Sequence, residues 1–148
     1  MLDENAYRDA YTTVNPLQCV FERAILCRCC SCEHAIKRNI AEREAAGCLD
    51  AAAHALCVDL KKELRRSAAF ALKLTHPNDP VPHTKELKLQ CGGLLGVERL
   101  LTPDAAGPVA NIIDVLNAAT RQYGSLANFP YQEIVHAIHG YEPRPRRK

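Results

Sequence analysis

Residues 33–47, Glu33-His34-Ala35-Ile36-Lys37-Arg38-Asn39-Ile40-Ala41-Glu42-Arg43-Glu44-Ala45-Ala46-Gly47, decide the fold class. Read as a helix from Glu33 to Ala46, they place Ile36 and Ile40 four apart on one side, charges on the other, and Gly47 at the C-cap. No segment of useful length elsewhere alternates apolar and polar residues as a half-buried strand does. The expectation is an all-α protein: a single compact domain of about six helices with a cysteine-rich metal site at helix ends.

Working outward, Asn15-Pro16 joins an N-cap residue to a proline at the first helical position. Val20, Ile25 and Leu26 give the helix that follows an apolar side. Downstream, an alanine-rich helix runs from Asp50 to about Leu74, with Leu56, Leu60, Leu64 and Ala71 on its buried face. The stretch His76-Pro77-Asn78-Asp79-Pro80-Val81-Pro82 is a loop, because each proline lacks an amide donor and biases its predecessor toward extended geometry. Thr84 caps a short helix through Gln90, which Cys91-Gly92-Gly93 breaks. Thr102-Pro103-Asp104 opens a further helical region that Pro108 restarts, with Ile112, Val115, Leu116 and Ala119 as core face before Gly124. A last helix runs from Pro130 to His139. The chain thus divides into cysteine-bearing helices over 14–75, C-terminal helices over 84–140 and a basic tail over 141–148. Two subdomains meeting at the proline loop are the other organisation.

The chain has 148 residues, enough to bury a core without disulfide staples. A net charge of +2 names no partner, and no stretch approaches the roughly 20 apolar residues that span a bilayer. Asp3, Glu4 and Asp9 stand where a secretory signal needs basic residues before an apolar run. The expected location is cytoplasmic, where thiols stay reduced and free for chemistry.

Eight cysteines then ask for an explanation. Four fall within Cys27-Arg28-Cys29-Cys30-Ser31-Cys32, and Cys19, Cys48, Cys57 and Cys91 stand apart. A structural zinc finger would show two separated pairs at regular short spacing. One dense group with distant members instead suits an iron–sulfur cluster, whose thiolates come from several segments. Cys29, Cys32, Cys48 and Cys91 are the expected ligands, because each lies where helix should be interrupted and a bend can aim sulfur and backbone amides at one centre. Cys30 and Cys57 come next as metal ligands. On one continuous helix Cys48 and Cys57 would point to opposite sides, so this requires the helix to begin after Cys48, with Asp50 as its cap. His54, three residues before Cys57, is a weaker candidate. Cys19 and Cys27 read as small buried residues. Cys19 joins the others only if the chain folds back after Cys27, since about three helical turns, roughly 16 Å, otherwise separate it from Cys30.

The function expected is therefore an iron–sulfur cluster binding protein, most simply of the 4Fe–4S type, for electron transfer, sensing or accessory work for a cluster enzyme. Its partner would be a redox or assembly protein. The alternative is a zinc-stabilised or thiol-redox interaction module, in which the vicinal Cys29-Cys30 pair or a thiol at Cys48 carries redox chemistry. Copper(I) storage and a DNA-binding cluster regulator rank lower: Lys37, Arg38 and Arg43 are interleaved with Glu42 and Glu44, which is the pattern of a solvated face. Six histidines without a positioned nucleophile, and no phosphate loop, haem-attachment or zincin motif, favour a binding protein over an enzyme.

Overall fold

In the computed structural model, residues 15, 17–40, 42–76 and 79–143 are described. Pro16 and the basic end over 144–148, both used above, lie outside the described residues. The elements run α1 (Glu22–Leu26), β1 (Ala35–Ile40), β2 (Arg43–Cys48), α2 (Ala51–Ala68), α3, α4 (Ile112–Tyr123) and α5 (Tyr131–Gly140). The rod α3 is one run of right-handed turns in three parts: α-helix His83–Leu87, π-helix Lys88–Gly92 and α-helix Gly93–Leu101. A single 3-10 turn, Leu126–Asn128, precedes α5. The protein is mostly helical, with five helices and one two-stranded sheet among the described residues.

The sheet corrects the all-α expectation at the stretch that carried it. Residues 33–40 and 42–46 form no helix: β1 and β2 make an antiparallel hairpin with Ala35 opposite Cys48 and Ile40 opposite Arg43. A spacing of four is close to one helical turn and also two strand repeats, so Ile36 and Ile40 share a face in either conformation. Tertiary pairing decides between them. The far edge of β2 is covered by the segment before α1: Cys48 N–H donates to the Leu17 carbonyl (2.8 Å), Cys19 N–H to the Ala46 carbonyl (2.9 Å), and Gln18 bridges Gly47. Asn15 caps no helix here. It is buried, with Nδ2 donating to the Ala46 carbonyl at 3.1 Å, and it lies so close to Gly47 that a Cβ there would sit 2.2 Å from its Oδ1. Gly47 therefore serves close approach and ends no helix.

Three further expectations change. The first helix is confined to Glu22–Leu26, leaving Cys19 in extended chain. Cys91-Gly92-Gly93 does not break α3, because the π turn absorbs the irregularity and the two glycines let other elements touch the helix. A Cβ at Gly92 would lie 2.8 Å from Ile138 Cα, and one at Gly93 2.7 Å from Leu64 Cδ1. Thr102-Pro103-Asp104 and Pro108 start no helix. Residues 102–111 form an irregular connection in which Val109 pairs with Cys30, and Asn111 precedes the first turn of α4.

Other elements agree with the reading. Asp50 caps α2 by accepting from Ala53 N–H at 2.9 Å, and Leu60 and Leu64 are buried, but α2 stops at Ala68, short of Leu74, and leaves Ala71 in the turn beyond it; Gly124 ends α4 at a φ of +86°. The rod α3 packs against α2, α4 and α5, and one apolar cluster runs from Phe21 through Leu60, Leu94 and Leu116 to Ile138.

Candidate metal centre

The helix α1 is short because a reversal follows it at once. Arg28 N–H donates to the Ile25 carbonyl (3.1 Å), and Cys29 N–H reaches back to that of Ala24 (3.1 Å). This is the Schellman pattern, with Arg28 at φ +66° in the left-handed position that glycine usually fills. The turn throws Cys27 to the outside and brings Cys29 against α3, where it forms a disulfide with Cys91 in the π turn. The chain does fold back after Cys27, the condition under which Cys19 can join the other thiols.

The sulfurs of Cys27, Cys29 and Cys91 all lie within 4.8 Å of one another, a group that can hold a metal ion. Cys27 Sγ is 3.7 Å from Cys91 Sγ, and buried Cys30 is 3.8 Å from Cys29 Sγ. The three edge a cavity of about 170 Å³ whose other walls include Leu87, Leu95 and Tyr141. Arg28 is among its lining residues.

Gln90 fixes α1 against α3 here: its Oε1 accepts from Ala24 N–H (3.0 Å) and its Nε2 donates to Glu86 (2.7 Å), which Lys61 pairs at 2.6 Å. Burial alone would push the Glu86 carboxyl up, but the hydrogen bonds from Lys61 and Gln90 outweigh it and hold the group below the usual carboxylate range.

A second set of thiols collects at a separate cavity. Cys19, Cys32, Cys48 and Cys57 line one small cavity, floored by Ile112 and Ile113 of α4. Each comes from a different part of the chain: the segment before α1, the loop before β1, the end of β2 and α2. Cys48 Sγ donates to the Asp50 carbonyl at 3.2 Å, and a His54 ring nitrogen, Nε2, lies 2.9 Å from the Gln18 carbonyl. Burial pushes the thiols of Cys19 to about 11 and Cys57 to about 12, with the neighbouring cysteines adding to the rise. Cys30 is pushed to about 12, again chiefly by burial and secondarily by Cys27.

The four expected ligands are thus divided. Cys29 and Cys91 meet at the first cavity, while Cys32 and Cys48 meet at the second. Cys30 sits behind the first and Cys57 lines the second. Cys27 and Cys19, read as packing residues, each stand beside a group of thiols. The signal for Cys27 was its place at the end of an apolar helical side, where a Schellman turn would expose it; Cys19 carried none, because its position depends on the hairpin.

Comparison with known proteins finds no matching family model, no similar curated protein and no similar solved structure. No helix among the described residues is long and apolar enough to cross a membrane.

Proposed function

We propose that this protein binds an iron–sulfur cluster at Cys27, Cys29 and Cys91, with Cys30 as the fourth thiol within reach, and serves a redox or assembly partner. The observation that carries the reading is the position of three thiols on the edge of one 170 Å³ cavity with apolar walls; two of the sulfurs are bonded to each other, and reducing that bond lets the set open to the wider spacing of a cluster. Apolar enclosure sets cluster potential by limiting solvent, and Arg28 in the cavity lining offsets the negative charge of gathered thiolates. Disulfide formation is what these sulfurs do without metal: oxidising Cys29 and Cys91 removes two ligands, and two electrons and two protons restore them.

The test is anaerobic reconstitution of dithiothreitol-reduced protein with ferrous iron and sulfide, followed by iron, sulfide and zinc analysis and a visible spectrum. Bound sulfide with broad visible absorption, lowered in Cys27→Ser and Cys91→Ser, supports the cluster. Tight binding of one zinc without sulfide refutes it.

The disulfide supports a second reading, thiol–disulfide exchange. Exposed Cys27 lies 3.7 Å from Cys91 Sγ, so its thiolate can attack that sulfur, form a Cys27–Cys91 bond and expel the Cys29 thiolate. Trapping a Cys27–Cys91 linkage in metal-free protein by peptide mapping would support it.

A further inference from the structure

We infer that Cys19, Cys32, Cys48 and Cys57 form a second, separate metal site, and that its occupant is a polynuclear iron–sulfur centre in place of a single ion.

Three observations converge. Four segments distant in sequence deliver one thiol each to the same cavity, and all four thiols are free while Cys29 and Cys91 of the same chain are joined. The backbone that carries them is held in place: Cys19 and Cys48 are bonded to opposite partners across the covered edge of the hairpin, Ala35 N–H donates to the Cys32 carbonyl (3.1 Å), and Leu49 N–H donates to that of His34 (2.8 Å). Cys57 stands on α2, whose start is fixed by the Asp50 cap. Such a scaffold fixes the backbone of the ligand set before any ligand arrives, which limits what the side chains must still do.

The spacing selects the occupant. Tetrahedral zinc with sulfur at about 2.3 Å sets its thiolates roughly 3.8 Å apart. No three of these four sulfurs lie within 4.8 Å of one another. As they stand, the four sulfurs are set wider than the thiolates of one tetrahedral ion, and a core of several irons and sulfides separates its terminal thiolates and spans such a set. The free space between the thiols is small, about 20 Å³, so a core is taken up by rotation of the four cysteine side chains on their fixed backbone. A four-thiolate cluster leaves no ligand position for His54, which keeps its place beside the Gln18 carbonyl.

This site does not depend on what the first one holds, and two double variants separate them. Wild type, Cys27→Ser/Cys91→Ser and Cys19→Ser/Cys57→Ser are each reduced, reconstituted anaerobically with ferrous iron and sulfide, and read for iron and sulfide per chain, with far-UV circular dichroism as the check on folding. The inference expects Cys27→Ser/Cys91→Ser to keep iron and sulfide together and Cys19→Ser/Cys57→Ser to lose roughly half or more of the wild-type content. Wild-type content in the Cys19→Ser/Cys57→Ser protein, or none in a folded Cys27→Ser/Cys91→Ser protein, overturns it. Loss in Cys19→Ser/Cys57→Ser with no change in Cys27→Ser/Cys91→Ser sinks the first site and leaves this one standing. Should the Cys19→Ser/Cys57→Ser protein not fold, Cys32→Ala in the loop before β1 must show the same loss, and unchanged content there refutes the inference.

Discussion

Replacing Gly92 by alanine tests the packing that holds α5 against α3 beside the first thiol site. The added Cβ would lie 2.8 Å from Ile138 Cα, 3.0 Å from Tyr141 Cβ and 3.2 Å from the Ala137 carbonyl oxygen. Two of these three are backbone atoms, so no side chain can swing aside to relieve the contact. Ordinary carbon contacts begin near 3.5 Å, so α5 must retreat by roughly 0.7 Å. Overpacking of this kind costs about 1–3 kcal/mol, and the better helix propensity of alanine returns up to about 1 kcal/mol. The expected net loss is about 1–2 kcal/mol, or a drop in Tm of roughly 3–6 °C for a chain of this size. Urea unfolding of the reduced protein, followed by far-UV circular dichroism, measures it free of the disulfide. Gly140→Ala is the control, because a Cβ there meets nothing within 4 Å. A Gly92→Ala protein as stable as wild type, or more so, would refute the argument that these glycines form a contact seam.

Three other outcomes are expected. Reducing the Cys29–Cys91 disulfide, which closes a loop across a sequence separation of 62, should lower unfolding free energy by about 2–4 kcal/mol, read from urea curves with and without dithiothreitol; a shift below about 0.5 kcal/mol would count against the bond. In timed alkylation with N-ethylmaleimide at pH 8, Cys27 should react first, being exposed, and Cys30 and Cys57 last, being pushed to about 12 by burial; early labelling of Cys57 by mass spectrometry would contradict the second cavity. The folded-state pKa of Glu86 is depressed, so its contribution is fully present above the ordinary glutamate range near 4.5 and disappears as pH falls through the lower folded value. Glu86→Gln should therefore flatten the acid side of the stability profile, and an unchanged slope would refute the pairing with Lys61 and Gln90.

The start of α2, the end of α4 and the start of α5 were legible because each carried both a pattern and a punctuation mark: Asp50 before the alanines, Gly124 after Ala119, Pro130 before Tyr131. The hairpin was not. Ile36 and Ile40 satisfy both periods, and what selects strand is the pairing of β1 with β2 and of β2 in turn with residues 17–19, a contact outside the local pattern. Gly92 and Gly93 read as a break because glycine is poor in helices, yet close packing against Ile138 and Leu64 reverses that preference. For the sites, the number of thiols and the interrupted backbone around them could be read directly. Their sorting into two groups could not, because it follows from the reversal at Arg28 and the covered edge of β2, and both are tertiary.

The two thiol groups also differ in when they can exist. Chain growth runs from the N-terminus at about 5–20 residues per second. All four members of the second group are present once Cys57 has been made, but Cys29 waits for a partner that lies 34 residues further on. For the several seconds of that interval Cys27, Cys29 and Cys30, near neighbours in sequence, are present without Cys91. A vicinal or near-vicinal oxidation among them would then compete with the native pairing, so the π turn of α3 arrives as the element that ends the competition.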